Sequence, residues 1–264
     1  MNMNTSPDHL YEHTSAPFLA LTRGRFLFQG SQAVVCQFSL APLGTLQVAS
    51  GRLLIEDPFR SLRPYLNRSF PLPPGNHRVV QTVVHIGEEG RTPEPCTAYL
   101  SLILDERALQ SRRELQARQV LEGKDPQIPA ALLYPIIPVL PNDSFSEKQW
   151  ESMVLPSVEI LTGTVALADQ DCFEDLMPSD RYDREEGWLE TVFDHGLPNS
   201  WFDALDETSL WPKGSTNIRL PNGSEDDRIV LCSTGRGAGR YGVVEEKNEQ
   251  GQTVAVHLDF KVLP

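Results

Sequence analysis

The chain has 264 residues, enough to bury a sizeable core as one large β-containing domain or two smaller ones without metal or disulfide staples. Its composition, 40% hydrophobic and 22% charged, is that of an ordinary globular protein, and 21 Pro with 18 Gly spread along it point to many turns rather than long helices. A formal net charge of -13 opposes binding of a polyanion, because nucleic-acid affinity comes mainly from Lys and Arg neutralising phosphates; a basic protein or a cation is the matching partner.

Residues Met1 to Pro17 are polar, with neither a basic n-region nor an apolar h-region, so the sequence predicts a flexible N-terminal segment rather than a signal peptide, and cytoplasmic residence. A single β-rich domain is expected over 18–264, with a helical acidic insertion at about 167–208. Short β-type runs follow at Val34 to Leu40, Thr45 to Ala49 and Arg52 to Glu56, punctuated by Pro42, Gly44 and Gly51. After the Pro-rich stretch Pro71 to Gly75, the runs His77 to Ile86 and Thr97 to Leu104 read as a β-hairpin.

The segment Glu106 to Lys124 is dense in Arg, Glu, Gln, Leu and Ala and follows Asp105 as N-cap, which predicts an exposed helix. Ala130 to Leu140 is the most apolar stretch, but Pro135 and Pro138 interrupt it and it is too short to cross a bilayer, so a buried extended connector is expected and no membrane association. A second helix is expected at about Glu147 to Val154, capped by Ser146 and Gln149 and ended by Pro156. The last third closes with Ile229 to Ser233, then Tyr241 to Glu246 and Thr253 to Val262, the last two joined by a turn at Asn248 and Gly251 as an antiparallel hairpin. Strands do not alternate regularly with helices, so the expected class is mainly β (α+β), an antiparallel sheet or β-sandwich with peripheral helices.

Chemistry-bearing patterns are few. Gly237-Ala238-Gly239-Arg240-Tyr241-Gly242 satisfies G-x-G-x-x-G, but a dinucleotide site needs a helix opening at the glycines, and Tyr241 to Glu246 reads as a strand. A glycine-rich turn is expected instead, with Arg236, Gly237, Gly239 and Arg240 as an anion-binding loop, and no cofactor. Cys36, Cys96, Cys172 and Cys232 are scattered, without a C-x-x-C pair, and read as reduced thiols. Asp169, Asp171 and Asp175 cluster as oxygen ligands would, yet the sixth-position Gly and twelfth-position Glu of an EF-hand are both missing, so solvated acids are expected there and metal binding is the alternative. His257 and Asp259 alternate on a strand and so share a face, which suits proton transfer or ligation; a hydrogen-bonded structural histidine on the exposed side is the blander alternative.

Charge distribution is the most informative feature. From Leu167 to Thr208 there are thirteen Asp or Glu against Arg181 and Arg184, a local balance of -11. Trp188, Phe193, Trp201 and Phe202 lie in the same window, and large aromatics among acids make a binding surface for a basic partner, with Asp203, Asp206 and Glu207 steering at the rim. The alternative is that these aromatics pack inward while the acids face water.

Taken together, Gly51…Asp57-Pro58, Pro74-Gly75 before a strand, Asp171-Cys172-Phe173-Glu174-Asp175, Ser233-Thr234-Gly235-Arg236-Gly237-Ala238-Gly239-Arg240-Tyr241 and Asp259-Phe260 resemble an uncharacterised bacterial domain-of-unknown-function family, over roughly Gly51 to Phe260. Ala238 stands where that pattern has an acidic residue, and Asp169 and Asp171 stand where it has glycines. The resemblance implies an architecture, and by association an immunity or accessory partner of a secreted toxin. Two functions are therefore expected in order: a non-enzymatic binding protein, an immunity-type antagonist of a basic toxin; or a metal-assisted hydrolase of a phosphate ester using Asp57, Asp171, Asp175, His257 and Asp259.

Overall fold

Runs of Val, Leu, Ile and Thr dominate the chain outside its turns, and in the computed structural model they pair into two antiparallel sheets. The structure describes residues 20–21, 23–29, 33–59, 69–87, 95–110, 157–177, 192, 196, 200–207, 213–248 and 250–263. In chain order the strands are β1 (Gly24–Gln29), β2 (Ala33–Val48), β3 (Arg52–Glu56), β4 (Ser69–Pro71), β5 (Gly75–Gly87), β6 (Pro95–Ile103), β7 (Ser157–Ile160) and β8 (Thr164–Asp169). Helices α1 (Gln170–Leu176) and α2 (Trp201–Asp206) follow, then β9 (Ser215–Arg219), β10 (Arg228–Ser233), β11 (Gly239–Lys247) and β12 (Thr253–Asp259). One sheet has seven strands in the order β1-β2-β5-β6-β12-β11-β7, the other five in the order β4-β3-β8-β10-β9.

The two sheets share one core. Leu53 and Ile55 of β3, Val165 and Leu167 of β8, and Val230 and Cys232 of β10 face Leu46, Val79, Leu100, Leu102, Val256 and Leu258 of the seven-stranded sheet. The residues between them on the five-stranded sheet, Leu54, Ala166, Ala168, Ile229 and Leu231, point the other way and are buried under α1 and α2 with Phe173, Met177 and Trp201. A sheet buried on both faces has apolar side chains at consecutive positions, which is why these strands show little alternation. On the outer face of the seven-stranded sheet a smaller cluster gathers Leu21, Val80, Ile103, Leu109, Val254 and Ala255.

The predicted mainly-β class with peripheral helices is what the chain adopts. The hairpin of β5 and β6 and the closing hairpin of β11 and β12 are both present. Two expected runs, Val34 to Leu40 and Thr45 to Ala49, are instead one strand, β2, carrying an irregularity between Pro42 and Thr45. Pro42 has no N–H to give the ladder, and within the irregular stretch that follows the Asn217 amide of β9 donates to the carbonyls of Leu43 (2.8 Å) and Thr45 (2.9 Å). Strand β12 stops at Asp259, short of the expected Val262.

The helix expected from Glu106 does start there: residues 106–110 are helical, and Asp105 accepts from the Ala108 N–H at 2.9 Å as its cap. The rest of that helix, the Ala130–Leu140 connector, the helix at 147–154 and the N-terminal segment 1–17 lie outside the described residues. Of the acidic stretch 167–208, the described part contributes the end of β8, then α1 and α2, which form the layer covering the five-stranded sheet. No described helix is long and apolar enough to cross a membrane.

Candidate functional site

Four connections meet at one end of the sandwich, and Asp57, just after β3, ties two of them. Its buried carboxylate accepts the backbone N–H groups of Leu161 (2.7 Å) and Thr162 (2.8 Å), the Thr162 hydroxyl (2.8 Å) and the N–H of Phe59 (3.1 Å). The turn so held, residues 161–163, connects β7 to β8. Its last carbonyl, that of Gly163, accepts from the Thr234 N–H at 2.8 Å, which brings in the loop between β10 and β11.

That loop is the glycine-rich motif. The Thr234 hydroxyl donates to the Gly237 carbonyl at 2.5 Å and the Tyr241 hydroxyl to the same carbonyl at 2.6 Å. Gly237 has φ of 78°, in the left-handed region that favours glycine, and Gly235 lies so close to its neighbours that a Cβ would collide with the Thr97 carbonyl and Val262. The glycines thus serve a tight turn opening into a strand, as expected, and not the start of a helix. Arg236 and Arg240 are exposed on this frame. The fourth connection, after β12, brings Asp259 and Lys261: the Asp259 carboxylate accepts the Lys261 N–H at 2.8 Å and the Lys261 ammonium donates to the Arg240 carbonyl at 3.2 Å. Burial pushes the Asp259 carboxyl above its usual value, against the opposing pull of the Lys261 N–H and of the Lys261 and Arg236 charges.

The acidic and aromatic stretch divides into core and surface. Helix α2 is capped by Ser200, whose hydroxyl accepts from the Asp203 N–H at 3.2 Å. Its first residue, Trp201, is 0% exposed against the five-stranded sheet, so its expected role as a partner-facing anchor is corrected: it holds α2 to the core. The next residue, Phe202, turns outward and is 39% exposed, its ring stacked on Phe59 with centroids 5.7 Å apart and planes 13° from parallel. Asp203, Asp206 and Glu207 are exposed on the same short helix and its end, and Asp203 also accepts the Gly196 N–H at 2.6 Å. Trp188 and Phe193 lie outside the described residues.

The carboxylates of the hydrolase alternative are spread out and largely engaged. Asp57 serves the 161–162 turn. Asp169, buried, caps α1 by accepting from Asp171 (3.0 Å) and Cys172 (3.1 Å) N–H groups and takes the Ser50 N–H at 2.7 Å. Asp171 pairs with Arg52 on the surface, and Asp175 lies exposed on α1. Among the described residues no three His, Cys, Asp or Glu are grouped so as to hold a metal ion.

His257 is not on an exposed side, as the blander alternative had it, but fully buried. It bridges neighbouring strands, with Nδ1 2.9 Å from the Ser101 hydroxyl of β6 and Nε2 3.2 Å from a Glu246 carboxylate oxygen of β11. Hydroxyl, imidazole and carboxylate in a row resemble a nucleophile with its base and acid. With Ser101 and His257 at 0% exposure and Glu246 at 3%, the hydroxyl is closed to substrate.

Phe59, Leu161 and Lys261 belong to this end of the molecule although sequence reasoning passed over them. Leu161 and Phe202 are large apolar side chains left exposed, and the Asp57–Phe59 segment links them. The Asp57-Pro58 pair was the one visible signal, since Asp before a turn often bonds backbone N–H groups nearby; its long-range bonds to 161–162 carry no mark in sequence. Compared with known protein families, with curated proteins and with solved structures, the chain matches none.

Proposed function

We propose that the chain is a non-enzymatic binding protein that docks a basic protein partner on the helical layer of its sandwich, in the manner of an immunity-type antagonist of a cationic toxin. The observation that carries this reading is Phe202: a large ring left 39% exposed on the stacked Phe59, on a helix whose other outward residues are Asp203, Asp206 and Glu207. An aromatic anchor rimmed by one sign of charge suits a partner of the opposite sign, the charges setting encounter rate and orientation and the ring supplying the desolvated contact. The net charge of -13 adds long-range attraction for the same class of partner. The resemblance noted from the sequence motifs points the same way.

The test is a pull-down with the tagged full chain at low and high salt, run beside two variants, Asp206→Lys/Glu207→Lys and Phe202→Ala. The reading is supported if a basic protein is retained by the parent, released as salt rises and lost from both variants. Retention of the same protein by the charge-reversed variant at low salt sinks it, because exposed charges act within a Debye length of about 10 Å at 0.1 M salt and their reversal must then be felt.

A further inference from the structure

We propose that the glycine-rich loop between β10 and β11 is a second recognition surface, where Arg236 and Arg240 take the carboxylates of an acidic peptide segment and Leu161 takes an apolar side chain of the same segment. Among the described arginines, Arg52, Arg78, Arg219 and Arg228 each stand against a carboxylate. Arg236 and Arg240 make no ion pair and no side-chain hydrogen bond among the described residues. Of the nearby described acids, Glu159 is the direct cross-strand neighbour of Arg240 yet forms no ion pair with it, and Asp259 is mostly buried, its carboxylate accepting the Lys261 N–H.

Rigidity adds to this. The loop backbone is held by Thr234, by the Tyr241 hydroxyl and by the close seat of Gly235 on Thr97 and Val262, so the main chain that carries both arginines is already ordered and loses little freedom on binding. Lys261, tied to the Arg240 carbonyl, adds a third positive charge.

Leu161 selects the kind of anion. It is 46% exposed in the 161–163 turn, and that turn lies directly against the loop, Gly163 facing Gly237. A bare oxyanion satisfies the arginines but leaves Leu161 in water; an acidic peptide with a neighbouring apolar residue satisfies both. This surface is opposite in sign to α2, so it recognises a different chemistry and stands independently of the basic-partner reading.

The experiment is an NMR titration of the ¹⁵N-labelled full chain with a blocked peptide of alternating Asp and Leu, and in a separate arm with inorganic phosphate. The expected result is that peptide shifts the amides of 161–163 and 234–240, that Arg236→Ala/Arg240→Ala weakens binding by roughly tenfold or more, as loss of charge-assisted hydrogen bonds requires, and that Leu161→Ser weakens it several-fold. The Asp206→Lys/Glu207→Lys variant keeps the peptide affinity, so failure here and failure of the basic-partner surface are read separately. Absence of shifts at these amides at millimolar peptide overturns the proposal, as does unchanged binding by the arginine double variant. Phosphate binding as tightly as the peptide overturns it too, because Leu161 then plays no part.

Discussion

Removing the Asp57 carboxylate tests whether one buried side chain organises the loop end. Asp57→Ala leaves the N–H groups of Leu161, Thr162 and Phe59 without the acceptor they share at 2.7, 2.8 and 3.1 Å. Hydrogen bonds to a charged group contribute about 1.5–3 kcal/mol each, but water entering the vacated space and relaxation of the turn recover part of this, so a loss of roughly 3–5 kcal/mol is expected. Asp57→Asn keeps the shape and one acceptor while turning an NH₂ toward backbone donors, for a smaller loss of about 2–3 kcal/mol. Urea unfolding followed by tryptophan fluorescence gives both values, with an unchanged slope showing that the denatured state is the same. A midpoint shift worth less than about 1 kcal/mol for Asp57→Ala refutes the hub role, and the frame proposed for Leu161 and the arginine loop goes with it.

Trp201→Ala should cost about 3–5 kcal/mol in the same assay, the range for a large aromatic removed from a closed core; a loss below about 1 kcal/mol would return Trp201 to the surface. The two loop glycines should differ: Gly237→Ala costs about 1 kcal/mol for its left-handed φ with open space around it, whereas Gly235→Ala costs more, because its Cβ meets the Thr97 carbonyl and Val262. Asp259 has its folded pKa raised above the usual 3.8, so its contribution to stability is fully present below that pH and is lost as pH rises through the folded value. Asp259→Asn, which still accepts the Lys261 N–H, should therefore melt higher than the parent at pH 7 and no higher below pH 3.8; equal gains at both pH values would contradict the assignment. Cys172 is half-buried, yet burial and the neighbouring Asp169 and Asp227 push its thiol up to about 12, so alkylation by iodoacetamide at pH 8 should be slow and should speed up in Asp227→Asn.

Much of the β-architecture was legible because the deciding residues signal locally. The hairpins of β5 with β6 and β11 with β12 carry Val and Thr runs bounded by Gly, Asn and Pro, and the cap at Asp105 is a local bond. Strand β8 was not legible: Thr164–Asp169 reads TVALAD, and its two alanines are small because α1 and α2 press on that face, a constraint that comes from residues far along the chain. Helix α1, seven residues long, could not be delimited within the helical stretch expected at about 167–208, because it rests on one cap and one buried ring, Phe173, too little for a periodic pattern.

In the acidic stretch, residue type alone did not separate Trp201 from Phe202. They are adjacent on a helix, about 100° apart around its axis, and only the position of the sheet beneath decides which is covered. For the loop end, the glycines, arginines and Asp57 were visible as residues, but their convergence depends on pairings such as Ser233 with Thr164 and Gly239 with Ile160, which join segments some 70 to 80 residues apart.

The buried row of Ser101, His257 and Glu246 has a consequence for how the chain assembles. Each partner sits on a different strand, so the three meet only when β6, β12 and β11 are aligned as Ser101 with His257 and Ala255 with Glu246. Sliding β12 by one residue would turn the imidazole into the apolar space between the sheets, and sliding it by two would strand a carboxylate in the interior without its imidazole. Val, Ala and Leu along the same strands would tolerate such slips far better. The polar row therefore marks one register, penalising misalignment in a sheet whose neighbours β6 and β12 are separated by some 150 residues of chain.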